Sequence, residues 1–192
     1  MDFGIRERKA AVRRVVAQRV AAMSAEIRQE RSRQACQLLN RQKAWQQAGS
    51  ILLFAPTSRE VDIWPLLASA LASGKLVALP RFDPGTNQYE ACRVTDPHQQ
   101  VRTGRYGIRE PGPACAVVAL NRLDFVLAPG VAFDLHGRRL GRGKGYYDRL
   151  LTAVGGTTCG VAFDEQMVNE IPVEPHDSDV NCILTPTRWI EL

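Results

Sequence analysis

"SILLFAPTSREVDIWPLLASALASGKLVALPRF", residues 50–82, decides the architecture of this chain. It opens with a short apolar run, SILLFAP, whose length and closing proline suit a strand buried on both faces. In IWPLLASALASG, Ile63, Leu66, Leu67, Ala70 and Leu71 share one helical face. Pro65 is tolerated there because it falls in the first turn, and Gly74 supplies the stop. KLVALPRF (75–82) reads as a second strand. Strand, helix and strand within about thirty residues form the βαβ unit of a parallel sheet.

Working outward, two helices are expected upstream. Val12, Val15, Val16 and Val20 put an apolar stripe on the first. Ser24 is placed to cap the second, with Glu26 in its first turn, and that helix is expected to run to about Gln47, with Gly49 as its stop. Downstream, YEACRV (89–94), LDFVLAPG (123–130), TCGVAF (158–163) and VNCIL (180–184) read as strands, and YYDRLLTAV as a helix. TGRYGIREPGP has turn composition. The expected fold is a single α/β domain spanning 1–192. It has three layers, a mostly parallel central sheet flanked by helices, and two N-terminal helices.

Composition narrows the function. Hydrophobic residues make up 45% of the 192 and charged residues 23%, a globular mix able to fold without a disulfide or metal. The five cysteines are scattered, with no CxxC pair, which speaks against a disulfide framework or a cysteine zinc site and favours small core residues in a reducing cytoplasm. No apolar run approaches the ~18 residues of a membrane span. The arginine-rich start contains Asp2 and Glu7 and continues into helical sequence, so it reads as mature helix rather than a cleaved leader. The net charge of +5 is modest, and phosphate on a small ligand accounts for the cluster around 138–149 as well as nucleic acid does.

That cluster is RRLGRGKGYYDRL, residues 138–150. It lies between a strand and a helix, where open α/β sheets bind ligands. Gly141, Gly143 and Gly145 allow backbone N–H groups to approach an anion, Arg139, Arg142 and Lys144 offer charge, and Asp148 could serve a magnesium ion. A Walker loop would need Ser or Thr where Gly145 stands, and GxGxxG would need glycine at Tyr146. The residues alone leave a phosphate loop and a flexible basic turn both open.

The stretch PGVAFDLHGRRLGRGKGYYDRLL closely resembles the signature of the 5-formyltetrahydrofolate cyclo-ligase (5,10-methenyltetrahydrofolate synthetase) family. KAAVRR, FAPTSREVDIWPLL, LVALPRF and IPVEPHDSDVNCILT match further family segments in the right order, so the resemblance covers nearly the whole chain. It implies an enzyme that uses ATP as co-substrate and Mg2+ to close 5-formyltetrahydrofolate into 5,10-methenyltetrahydrofolate. It implies Arg142 and Lys144 as catalytic residues. It implies ATP contacts from Lys9, Ala10, Ala11, Val12 and Arg13, and from Arg139, Leu140, Gly141, Arg142, Gly143, Lys144, Gly145, Tyr146 and Tyr147. Folate contacts are implied at Arg13, Ala55, Glu60, Phe82, Tyr106, Arg142, Gly143, Lys144, Gly145 and Tyr146, and metal contacts at Asp148 and Asp177. The family usually has aspartate where this chain has Asn181.

Each position also has a plainer reading. Lys9 and Arg13 could form a solvated basic face, Glu60 could open the following helix, and Asp177 could shape a turn. His98, His136 and His176 share no ligand spacing, though His176 could support Asp177. Trp45, Trp64 and Trp189 suit packing. The alternative functions are a sugar-phosphate isomerase-like enzyme, for which no general base is visible beside the loop, and a nucleic-acid module, for which the aromatic interleaving is missing. The expected partners are therefore small-molecule substrates, with no nucleic acid and no membrane, acting on a monomer.

Overall fold

The computed structural model describes residues 3–104 and 107–192. Two helices lead, α1 (Phe3–Ala21) and α2 (Ala25–Asn40), followed by a short α3 (Lys43–Gln47). Then come β1 (Ser50–Leu52), α4 (Trp64–Ala72), β2 (Leu76–Asp83) and β3 (Gln88–Val94). A small excursion holds α5 (Pro97–Gln100), β4 (Val101–Thr103), β5 (Arg109–Pro111) and β6 (Val117–Val118). The chain closes with β7 (Phe125–Pro129), β8 (Ala132–Phe133), β9 (Arg139–Leu140), α6 (Tyr146–Leu151), β10 (Thr157–Val161), β11 (Cys182–Leu184) and β12 (Trp189–Glu191).

The βαβ reading of residues 50–82 is borne out: β1 and β2 pair in parallel, Ser50 opposite Leu76. Pro65 sits in the first turn of α4, and Gly74 ends the segment at φ +77°. The eight-stranded sheet has the order β12-β11-β10-β7-β1-β2-β3-β6. Strands β11, β10, β7, β1 and β2 run parallel, and β12, β3 and β6 join antiparallel at the flanks.

Side chains alternate across this sheet with period two, and both faces are buried. Ile51, Val77, Leu79, Phe125, Leu127 and Leu184 face one cluster, which Val16 and Val20 of α1, Leu39 of α2 and Leu66 of α4 complete. Leu52, Ala78, Val126, Ala128 and Ile183 face the other, covered by Leu150 and Leu151 of α6 and by Phe133 of the β8–β9 hairpin. Hence three layers form. The hairpin can lie so close because Gly160 of β10 leaves a hollow under the Phe133 ring.

Several local expectations change. Val15 is 43% exposed, because it stands a helical step away from the buried Val16. Helix α2, capped as expected by Ser24, stops at Asn40 rather than about Gln47. The break lets Trp45 donate to Asn40 Oδ1 at 3.1 Å and pack edge-on against Phe125. The middle segment is not only turns: β4 and β5 form a hairpin. The β8–β9 hairpin and β12 are too short to leave a periodic trace in sequence. All five cysteines are buried and free, and burial pushes the Cys36 thiol up to about 12 and that of Cys92 to about 11. No helix among the described residues is long and apolar enough to cross a membrane.

A methyl group at Gly160 would fall 2.8 Å from Phe133 Cδ1 and nearer still to Cε1, inside a ring with no exposed surface. Gly160→Ala is therefore expected to lower Tm by roughly 3–10 °C, the effect of about 1–3 kcal/mol of overpacking. A thermal melt by circular dichroism checks this.

Candidate functional site

The chain runs from β1 outward to β2, then returns to lay β7 on the other side of β1. Ligand crevices of open α/β sheets form at such a reversal, beyond the carboxyl ends of the strands. A cavity of about 380 Å³ lies there. Its floor comes from Phe54 and Ala55 after β1, Pro80 in β2, and Pro129 and Gly130 at the end of β7. The glycine loop supplies Gly141, Arg142, Lys144 and Gly145, and the β5 side supplies Ile108 and Arg109.

The glycine loop is held from three directions. Arg139 in β9 is 4% exposed, donates to the Pro129 carbonyl, and pairs with Asp148 in α6. Arg13 Nε of α1 donates to the Gly141 carbonyl at 2.9 Å. Gly143 and Gly145 take φ of +91° and +66°, a backbone region that side chains with a Cβ resist. Helix α6 spans only six residues, so the bend itself, more than a helix dipole, would present N–H groups to an anion.

Glu60 does not open α4. It closes a turn in the preceding loop: its Oε2 accepts the Thr57 N–H at 2.8 Å, and its Oε1 accepts Arg142 Nη2 at 3.0 Å. A carboxylate thus reaches the glycine loop from a segment 82 residues away, which the sequence did not disclose. Arg142 is 62% exposed, so this pair contributes little and can be exchanged for a ligand. Lys144 is exposed and makes no hydrogen bond or ion pair among the described residues.

Aromatic rings build one wall. Tyr89 of β3 and Tyr146 meet at 5.3 Å, edge to face, with Phe82 behind both at 5.7 and 5.5 Å. Phe82 faces these rings and supports the wall, while Tyr89 and Tyr146 line the cavity. Burial, helped by the charge of Glu60, pushes the Tyr147 hydroxyl far up, so it stays protonated. Tyr106 lies outside the described residues.

Lys9 and Asp177 meet. Lys9 Nζ donates to Asp177 Oδ2 at 2.6 Å and to Glu174 Oε2 at 2.8 Å, and Lys9 is 5% exposed. Burial works against its charge, but the two carboxylates outweigh that and the net shift is upward. The hydrogen bond from Lys9 in turn holds Glu174 below the usual carboxylate range. Asp177 Oδ2 also accepts the Glu174 N–H, so it shapes the turn as well as pairing with Lys9. His176 is exposed with its Nε2 3.9 Å from Asp177. On the same helix Val12 packs against the core, and Ala10 and Ala11 carry no polar side chain.

Comparison with known proteins shows the family. Residues 5–186 match the model of the "5-formyltetrahydrofolate cyclo-ligase family". The chain belongs to that family. It is an enzyme of the cyclo-ligase kind. The 5-formyltetrahydrofolate cyclo-ligase of Escherichia coli K12 is 32% identical over 91% of this chain and 98% of its own. The mouse enzyme of the same name is 30% identical over 92% of both chains. The solved structure of Aquifex aeolicus 5,10-methenyltetrahydrofolate synthetase superposes with a TM-score of 0.86 at 34% identity, covering 96% of this chain and 92% of that one.

Sequence reasoning missed Thr57, Tyr89, Arg109 and Glu174 in this cyclo-ligase. Glu174 was within reach, three residues before Asp177 in an acidic segment. Tyr89 depended on the β2–β3 register, which places it opposite Phe82. Asn181 now has a role: its Oδ1 accepts the N–H and hydroxyl of Thr158, at 2.8 and 2.9 Å, tying β11 to the start of β10. Only the acceptor oxygen is used, and Asp offers the same oxygen.

Asn181→Asp should therefore shift Tm by no more than about 2 °C and leave turnover unchanged, a surface substitution in effect. Lys9→Met should lower Tm by about 5 °C, because two charged acceptors lose their donor. The raised Lys9 pKa gives stability that is present below about 10.5 and lost above it; the lowered Glu174 pKa gives stability present above about 4.5 and lost below it. The deficit of Lys9→Met should thus be widest between those limits in melts taken across pH.

Proposed function

We propose that this enzyme converts 5-formyltetrahydrofolate to 5,10-methenyltetrahydrofolate, with ATP cleaved to ADP and phosphate. The observation that carries the reading is one cavity with two chemistries. Its glycine loop offers amides and Lys144, which is unpaired among the described residues, and its other wall offers aromatic rings and the Glu60 carboxylate. The family match supports the same reaction.

The triphosphate lies along the loop, with Lys144, the loop amides and the α1 residues around Arg13 meeting its charge. The flat pteridine lies against Tyr89 and Tyr146, with its amino-pyrimidinone edge donating to Glu60. Arg142 is then displaced from Glu60 toward the phosphates, so folate entry and phosphate neutralisation are linked through one side chain. The formyl oxygen attacks the γ-phosphorus and ADP departs, leaving a phosphorylated iminium. N10 attacks that carbon and releases its proton, which the departing phosphate can carry away; the ring closes and the C–O bond breaks as phosphate leaves. The enzyme supplies position and charge, which is most of what phosphoryl transfer requires.

Magnesium suits the donor set: Asp148 and Asp177 are hard oxygen ligands, each with a second carboxylate oxygen free of hydrogen bonds among the described residues. When bound, Mg2+ would be held by these two and by nucleotide oxygens, and would neutralise phosphate charge. Asp148 and Asp177 already face Arg139 and Lys9, so both carboxylates have their orientation set before any ligand arrives.

Mixing the protein with 5-formyltetrahydrofolate, ATP and Mg2+ should generate the methenyl chromophore, and omission of ATP should abolish it. Lys144→Ala should lower kcat by roughly 100- to 1,000-fold with Tm unchanged, the loss typical of one charge-stabilising group. A well-folded wild type that forms no chromophore across a range of Mg2+ overturns the reading. Stabilisation by a sugar phosphate but not by ATP would point instead to the isomerase-like alternative.

A further inference from the structure

Among the described residues three arginines line the cavity, and two of them have carboxylate partners within the chain: Arg139 with Asp148 and Arg142 with Glu60. The third, Arg109, comes from the β5 strand, outside the glycine loop. Its guanidinium carbon stands over the Trp64 ring, 3.6 Å from the centroid, and the guanidinium makes no hydrogen bond or ion pair among the described residues. Its neighbour Glu110 also lines the cavity, but its carboxyl lies against Gly104 on the β4 side and forms no ion pair with Arg109 among the described residues.

Stacking on an indole uses the flat face of a guanidinium and leaves its N–H donors, which lie in the plane, available. A fixed, planar cation at a ligand cavity is suited to a carboxylate, which two parallel N–H groups can grip at once. The placing favours that anion over phosphate, because Arg109 stands beside the apolar Ile108 and apart from the glycine loop, whose backbone amides and Lys144 suit phosphate. On the proposed reaction, one substrate carries phosphates and the other carries the carboxylates of its glutamate tail. The geometry points to Arg109 as the subsite for that tail, a specificity-determining residue that grips a glutamate carboxylate while Trp64 holds its plane. This inference rests on the folate reading of the cavity.

The test compares 5-formyltetrahydrofolate with its neutral glutamate diamide, in wild type and in Arg109→Gln. The variant should raise KM for the acid roughly 10- to 100-fold, the range for a charged hydrogen-bonded contact, with kcat and KM for ATP within about twofold. The wild type should lose a similar factor on the diamide, and the variant should scarcely distinguish the two. Arg109→Lys should recover part of the loss through charge alone. Equal losses by Arg109→Gln on acid and diamide, or no loss on either, overturn the assignment. Equilibrium dialysis without ATP separates this from the reaction itself. A wild type that forms no product yet binds the acid over the diamide, through Arg109, removes the proposed reaction and keeps the subsite. Equal binding of acid and diamide by wild type removes the subsite whatever the activity.

Discussion

The glycine loop depends on one buried cation. Residues 141–145 have few side chains with which to pack, so nothing in the loop itself can fix its path. Arg139 does this from the preceding strand, binding the carbonyl where β7 ends and the carboxylate inside α6, with the Tyr147 ring 5.8 Å away. A buried guanidinium is tolerable only when paired, so Arg139 and Asp148 require each other. The expectation that Arg139 offers its charge outward yields to this finding: its charge is already spent inward, and the exposed Arg142 and Lys144 are the loop's outward cations.

The two faces of the sheet then divide the labour. The face under α6 and the β8–β9 hairpin anchors the loop and the aromatic wall. The face under α1 to α4 brings the basic pair of α1 and the Glu60 turn. The cavity forms where these contributions meet above the carboxyl ends of β1 and β7, and so its chemistry differs from side to side. Glu60 and Arg142 bridge that divide, joining the two sides through one ion pair.

Much of this was legible in the sequence. Buried strands, a helix stopped by glycine and a βαβ unit follow from local periodicity, and strong local signals survive folding. The glycine loop was visible because its composition is unusual. What could not be read was every feature fixed by contact between distant segments: the Arg142–Glu60 pair, the Lys9–Glu174–Asp177 cluster, the placing of Phe82 behind rather than in the cavity, and Arg109 on Trp64. Short elements failed for another reason: two-residue strands such as β8 and β9 have no period to detect. The end of α2 was misplaced because residues 41–47 suit a helix locally, while the burial of Trp45 decides against continuing it.

The brace between Lys9 and Asp177 joins residues 168 positions apart. A ribosome delivers Lys9 long before Asp177, so α1 waits through the synthesis of the intervening chain without the anions that will seat it. The parallel strands can begin to assemble while that helix is still unmoored. The seating of α1 would therefore arrive abruptly, once Asp177 has been made, rather than growing with chain length.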